Sequence, residues 1–322
     1  MPAMAIEARG LCKAFGDEAA LDGLDLAVPE GSVYGLIGRN GAGKTTAIKL
    51  LLGLLHADEG NALVLGLDMW SATPLERSRV AAVLQDWQAY DWMSGNELCV
   101  HSAAFYPRWD DRYAFRLVDG FELTTAMERP VGRLSGGQRR RLAVVLALAA
   151  RPDVLILDEP AANLDPIARR GLLDALVDVL AAEPSPTVLY STHLISDLER
   201  LADHVGIMHA GSMLAAGPLD ALSASVRRVQ LVFDHVPQPD LSLPGALIME
   251  VTGLVATAVV LGVSDAGLKA LADRMGARLD VFPLGLEDVF VELVASAERR
   301  AAPKAQGRLV GARDERRPEG FR

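Results

Sequence analysis

The sequence predicts an α/β fold, a parallel sheet buried on both faces with a smaller α+β unit behind it. Three observations carry that prediction. A short apolar run at residues 33–37 passes through a glycine-rich loop, residues 38–46, into an apolar stretch with helical character. Residues 154–157 are apolar without interruption and end in Asp158-Glu159-Pro160, the pattern of a central strand in a covered parallel sheet. The composition then changes near Pro218, and strands and helices start afresh.

Bulk properties narrow the function. The chain has 322 residues, which suggests two domains with ample length for a core. Its net charge of −10 disfavours a broad nucleic-acid surface. Cys12 and Cys99 form no metal or redox motif and read as packing residues in a reducing compartment. The nearest approach to a membrane span, residues 246–263, carries Glu250 and two glycines and reads better as strands. The chain opens without a basic region followed by an apolar stretch, so no secretory leader is expected. Work at a membrane would need another chain to do the spanning.

In order, residues 5–15 and 21–28 read as strands, the second with Leu24, Leu26 and Val28 on one face. Phe15, just upstream of the glycine loop, is either a stacking surface for an adenine or a core aromatic. After the turn Pro29-Glu30-Gly31 comes the strand that feeds the loop Gly38-Arg39-Asn40-Gly41-Ala42-Gly43-Lys44-Thr45-Thr46. Its glycines let backbone N–H groups converge, and the helix that follows adds positive potential, so the loop favours a phosphate chain. Lys44 is placed to reach β- and γ-phosphates, Thr45 to ligate Mg²⁺, and Thr46 to support the neighbouring phosphate. Residues 78–84 form another strand, ending at Gln85, whose amide could meet a metal-bound water or a partner chain. Trp87, Tyr90 and Trp92 then form either an exposed docking patch or a local core. Helices follow at residues 96–106 and 109–122.

Leu134-Ser135-Gly136-Gly137-Gln138 opens a helix that stops before Pro152, with Ser135 as its cap, and this gives a second anion-seeking helix start. The triplet Arg139-Arg140-Arg141 reads chiefly as a solvated face, with one arginine approaching phosphate as the alternative. At the end of the apolar strand, Asp158 suits a water-mediated Mg²⁺ contact and Glu159 suits polarising an attacking water. A loop containing Asn163 and Asp165 leads to a helix at residues 167–180, and Pro184-Ser185-Pro186 breaks the chain. A strand at residues 187–190 ends in Ser191-Thr192-His193, where His193 either serves structure or bonds a γ-phosphate. A helix at 194–202 and a hairpin, 205–208 with 212–216, complete the first unit. The second unit reads as a strand at 229–233, a proline-rich turn at 237–244, strands at 246–251 and 254–262, a helix at 265–275, a strand at 278–282 and a helix at 286–297. Residues 299–322, rich in Arg, Gly and Pro, read as a disordered tail, either solubilising or drawn to anionic lipid.

Taken together, these motifs resemble the nucleotide-binding subunit of ABC transporters over about residues 4–220. The glycine loop alone is generic, whereas Leu-Ser-Gly-Gly-Gln shortly before Leu-Asp-Glu-Pro is specific to that family. The resemblance implies a P-loop NTPase core with an N-terminal antiparallel β subdomain, an inserted helical subdomain at about residues 88–150 and a small C-terminal α+β domain. The expected division is a cassette over 1–222, an accessory domain over 223–298 and the tail.

The family's roles then fall on matching positions. Gly38, Asn40, Gly41, Gly43, Lys44, Thr45 and Thr46 would cradle ATP, and Phe15 would stack on its adenine. Ser135, Gly136, Gly137, Gln138 and Asp165 would bind the ATP of an opposing subunit. Glu159, His193 and Gln85 would form the catalytic set, and Thr45, Gln85 and Asp158 would hold Mg²⁺. Two such chains, identical or related, would close head to tail on ATP and drive a separate transmembrane permease from the cytoplasmic face of the cell membrane, without nucleic acid. Leu286-Glu287-Asp288-Val289-Phe290 and Phe105-Tyr106-Pro107-Arg108-Trp109-Asp110 resemble the drug- and antibiotic-exporter branch. The rival readings are a soluble ATPase of the same family acting on ribosomes or nucleic acid, and a non-hydrolysing regulatory module. The first lacks paired cassettes or heptad-spaced coiled coils here, and the second conflicts with the presence of Glu159 and His193.

Overall fold

The N-terminal strands β1 (Met4–Phe15) and β2 (Glu18–Pro29) pair antiparallel and lead to β3 (Val33–Ile37), which feeds the glycine loop and α1 (Lys44–Leu51). The structure, a computed structural model, describes residues 3–182, 186–237 and 241–301. The expected break at Pro184-Ser185, part of the turn at 237–244 and residues 302–322 of the tail lie outside the described residues.

Next come β4 (Glu59–Val64), α2 (Pro74–Arg77) and β5 (Val80–Val83). Neither β4 nor α2 is expected from the sequence. β4 begins Glu-Gly-Asn, poor strand formers, yet it pairs with β1 and closes a three-stranded sheet in the order β2-β1-β4. Gly60 makes this possible, because it adopts φ 79° and a Cβ there would lie 2.3 Å from the Gly10 carbonyl oxygen. The short α2 is started by a capping box between Thr73 and Glu76.

The helical segment holds α3 (Gly95–Ala103), α4 (Asp111–Gly120) and α5 (Gly136–Ala149). It is followed by β6 (Val154–Asp158), α6 (Pro166–Leu180), β7 (Thr187–Thr192), α7 (Ile195–Leu201), β8 (His204–His209) and β9 (Ser212–Pro218). The main sheet has the order β5-β6-β7-β3-β8-β9 and is parallel except at β9. Both of its faces are covered. On one side Leu36, Ile156 and Leu189 pack with Ile48 of α1 and with the three-stranded sheet. On the other, Ile37, Leu155 and Leu157 pack with Leu142, Leu172 and Leu198. This double burial is why β6 and β7 carry no alternation.

Beyond β9, α8 (Leu219–Ser225), which the sequence reading did not anticipate, runs into β10 (Val226–Phe233). β11 (Ala246–Thr252), β12 (Val255–Leu261), α9 (Asp265–Met275), β13 (Ala277–Pro283) and α10 (Leu286–Ala301) complete the chain. The four strands form an antiparallel sheet in the order β11-β12-β10-β13, with a small core of Val229, Leu231, Phe233, Leu268 and Leu271. Leu286, Val289 and Leu293 of α10 are buried in the cassette's own core with Leu198 and Leu222, so this helix fastens the C-terminal unit to the cassette. α10 runs through residues 299–301, the start of the stretch expected to be disordered.

Candidate nucleotide site

Parallel register brings the chemistry to one edge. Ile37 pairs with Thr192, Asp158 with Ser191 and Val83 with Leu157. The glycine loop, Gln85, Asp158, Glu159 and His193 therefore all leave the sheet at its carboxyl end, where ligands of open α/β sheets bind.

The loop holds its shape by sterics. Gly43 sits at the N-cap of α1 with φ 99°, and a Cβ there would meet the Ala20 carbonyl oxygen at 2.5 Å. Gly41 also has positive φ, at 82°. No side chain caps α1, so its first N–H groups remain for an anionic guest. The Lys44 side chain is 5% exposed, and its Nζ donates to the Gly38 carbonyl at 2.7 Å and lies 3.2 Å from Glu159 Oε1. Phe15, Asn40, Gly41, Gly43, Lys44, Thr45, Thr46, Gln85 and Glu159 line one cleft of 460 Å³. Phe15 is 52% exposed there, so the alternative of a core aromatic does not hold; its ring faces the cleft, with the Lys13 ammonium 5.8 Å from its centroid.

The carboxylates have separate environments. Asp158 is fully buried, and its Oδ1 accepts from the Ser191 hydroxyl at 2.5 Å. Its other oxygen, Oδ2, is buried without a hydrogen-bond partner. A buried orphan carboxylate oxygen is costly unless it serves a cation. Beside Glu159, and with the Thr45 hydroxyl and the Gln85 amide lining the cleft, it fits the all-oxygen donor set that Mg²⁺ prefers. Glu159 takes φ 46°, left-handed for a residue with a Cβ, and is held there by its N–H, which donates to the Ser191 carbonyl and hydroxyl, each at 3.1 Å. Its Oε2 accepts from His193 Nδ1 at 2.8 Å. A carboxylate only accepts, so Nδ1 carries the hydrogen.

The second helix start is built differently. Ser135 Oγ accepts from the Gln138 N–H at 3.2 Å, while Gln138 Oε1 accepts from the Ser135 N–H at 3.1 Å and from Arg129 at 3.1 Å. This capping box occupies the Gln138 side chain. At Gly136 a Cβ would meet nothing within 4 Å, so the turn presents bare backbone outward. Asp165 caps α6, accepting from the Ile167 and Ala168 N–H groups at 3.0 Å each. Among the described residues lining the nucleotide cleft, Ser135, Gly136, Gly137, Gln138 and Asp165 do not appear.

Two sequence expectations change. The arginine triplet is not a solvated face. Arg139 donates to the Val131 carbonyl, Arg140 to the Leu84 and Gln85 carbonyls, and Arg141 to the Phe121 carbonyl and to Glu122. Periodicity cannot reveal such acceptors, because all but Glu122 are backbone carbonyls, 8 to 56 positions away. The aromatic trio divides: Trp87 packs against the core, whereas Tyr90 and Trp92 are 52% and 69% exposed. Tyr90 and Trp92 thus follow the docking-patch alternative; Tyr90 also meets His101, which stacks edge-on with Phe105 at 5.2 Å, an extension of the patch that was not foreseen.

Fold and site together define a phosphate-loop ATPase cassette. The sequence profile described as ABC transporter matches residues 21–162. The chain is 35% identical to the daunorubicin/doxorubicin resistance ATP-binding protein DrrA of Streptomyces peucetius, over 94% of this chain and 97% of that protein. It is 36% identical to the Nod factor export ATP-binding protein I of Burkholderia lata, over 91% and 98% of the two chains. Among solved structures it resembles an ATP-binding subunit of an ABC transporter, with 27% identity, a TM-score of 0.62 and 69% and 92% of the two chains covered. An ATP-binding cassette in its ADP conformation aligns at 27% identity and a TM-score of 0.56, over 67% and 91%. The chain belongs to the ABC transporter family, as one of its ATP-hydrolysing, ATP-binding subunits.

Proposed function

We propose that this chain hydrolyses ATP with Mg²⁺ on the inner face of the cell membrane to power export through a separate permease. The direction follows the relatives whose names denote drug resistance and Nod factor export. No described helix is long and apolar enough to cross a membrane, which supports a separate spanning chain. The exposed row around Tyr90 and Trp92, just past Gln85, is the surface we assign to that chain.

Within the site, Phe15 stacks on the adenine, and the loop N–H groups with Lys44, Asn40, Thr45 and Thr46 bind the phosphates. Thr45, Gln85 and Asp158 would hold Mg²⁺, whose charge neutralises the phosphate oxygens. Glu159 accepts the proton of the attacking water, and His193 fixes the carboxylate through its Nδ1–H. Ser135, Gly136, Gly137, Gln138 and Asp165 complete the site of a second copy or close relative.

One observation carries this reading: Lys44, Glu159 and the orphan Asp158 oxygen meet at one end of one sheet, while the second anion-seeking turn lies outside that cleft. The test is phosphate release by the purified chain with Mg²⁺-ATP, with oligomeric state followed in parallel. Hydrolysis rising with the square of chain concentration at low concentration is expected. Equal turnover per chain at all concentrations, with a persistent monomer, would refute the paired site.

A further inference from the structure

We propose that Arg140 is the positioning residue that ties the turn of Ser135–Gln138 to the turn at Gln85, so that the two move as one body. The inference rests on the nucleotide-site reading above and deepens it.

The geometry is specific. Arg140 lies in the first turns of α5, two residues past Gln138. Its Nη1 donates to the Leu84 carbonyl at 2.9 Å and its Nη2 to the Gln85 carbonyl at 2.8 Å. A planar guanidinium spans two successive carbonyls as an ammonium cannot. The segment it grips is otherwise held by side-chain packing of Leu84 and Trp87 and, further on, by the Gly132 N–H donating to the Asp91 carbonyl at 2.9 Å. β5 is an edge strand, paired with β6 only as far as Val83. Past it, the Trp87 N–H closes a turn on the same Leu84 carbonyl at 3.1 Å. Burial works against the Arg140 charge and lowers its pKa, while the nearby Asp158 and Asp86 carboxylates favour that charge.

The rest of the helical segment is held elsewhere. Arg139 bonds to the Val131 carbonyl and pairs with Asp91 at 3.4 Å, and Arg141 bonds to the Phe121 carbonyl, so Arg140 is the one of the three that reaches the Leu84 and Gln85 carbonyls. At the far end of α5, Arg151 pairs with Asp110 at 3.0 Å, and Asp153 joins Arg108 at 2.7 Å to Arg79 at 2.6 Å. Those ion pairs pin one end of the segment to the sheet. Arg140 fastens the other end to the turn that carries Gln85. A displacement of the Ser135–Gln138 turn toward a second copy therefore pulls on Gln85, and a partner bound beside Trp92 pulls on the turn in return.

The test uses the full chain with Arg140→Met and Arg140→Lys, the second to keep the charge and the fold. Hydrogen exchange is followed over residues 84–92, with the β6 peptide as internal control. Both variants are expected to exchange about tenfold faster at the Trp87 amide and its neighbours, with β6 unchanged. Hydrolysis should show kcat lowered by roughly tenfold with KM for ATP kept within about twofold. Unchanged exchange over residues 84–92 in Arg140→Met, or full restoration of exchange and kcat by Arg140→Lys, would overturn the tether. Should Arg140→Met fail to fold, Arg140→Lys decides alone. A wild-type chain that does not hydrolyse ATP would remove the nucleotide-site reading, and exchange would still decide the tether.

Discussion

The two phosphate-seeking turns of this chain are built on opposite principles. The turn at Lys44 carries its lysine buried and paired inward. Its lysine meets Glu159, Glu159 meets His193, and Asp158 meets Ser191, all within the carboxyl edge of one sheet. The turn at Ser135 is exposed and satisfied by itself, through a capping box that returns its polar side chains to its own backbone. The first joins buried charge to the uncapped N–H groups of α1. The second offers open backbone, with Arg129 held on Gln138. The difference accords with the proposed pairing of two chains: the turn at Lys44 keeps its charge inside its own cleft, and the turn at Ser135 lies outside that cleft.

The largest break in that comparison comes from the buried half. Glu159→Gln removes the proposed proton acceptor but keeps a group of the same size beside His193. Hydrolysis should fall by about two to four orders of magnitude, with fluorescent-ATP binding retained and the paired form more persistent in gel filtration. Wild-type turnover in this variant would take the base assignment away. Lys44→Ala acts on the same pair from the other side. It leaves Glu159 buried at 9% side-chain exposure with its cation gone, so a loss of stability of about 3–5 kcal/mol is expected from chemical denaturation, as for other broken buried pairs. Combining it with Glu159→Gln should recover much of that stability without recovering ATP binding. If the double variant is as unstable as Lys44→Ala, the pair does not set the cost.

That buried half is also where the sequence was most legible, and the reason is physical. An uninterrupted apolar strand, a glycine loop and a terminal acid pair each leave a local signature, and parallel register then brings them to one edge. β4 left none, because Gly60 is chosen for its approach to the Gly10 carbonyl rather than for strand propensity. The Thr73–Glu76 capping box was readable as a helix start, but a helix this short has no periodicity to support it. The role of Arg140 could not be read at all, since its acceptors are backbone oxygens 55 and 56 positions away. The assignment of Ser135 as a helix cap, by contrast, needed only its four-residue context, and its Oγ accepts from the Gln138 N–H.

The exposed half sharpens the contrast with a smaller effect. Ser135→Ala removes the capping hydroxyl, and a stability loss of about 1 kcal/mol is expected in urea titration. ATP binding by the separate chain should be unchanged, because Ser135 is not among the described residues lining the cleft. Hydrolysis by the pair should fall if, as proposed, the turn completes the site of a second copy. Weakened ATP binding to the monomer would place Ser135 in its own chain's site and erase the distinction between the halves.

The smallest effect probes whether the C-terminal unit reaches the buried half. Arg39, inside the phosphate loop, pairs with Glu298 near the end of α10 at 3.0 Å. Both side chains are half exposed or more, at 67% and 50%, so the pair should contribute no more than about 0.2–1 kcal/mol and fade with added salt. α10 itself is held by buried Val289 and Leu293, whatever this contact does. A double-mutant cycle of Arg39→Ala and Glu298→Ala, read both as denaturant stability and as KM for ATP, separates the two contributions. A coupling within that range, lost at high salt and absent from KM, is expected of a rim contact. A coupling that appears in KM would mean that the accessory helix helps to aim the phosphate loop, and the boundary between the buried half-site and the C-terminal unit would have to be redrawn.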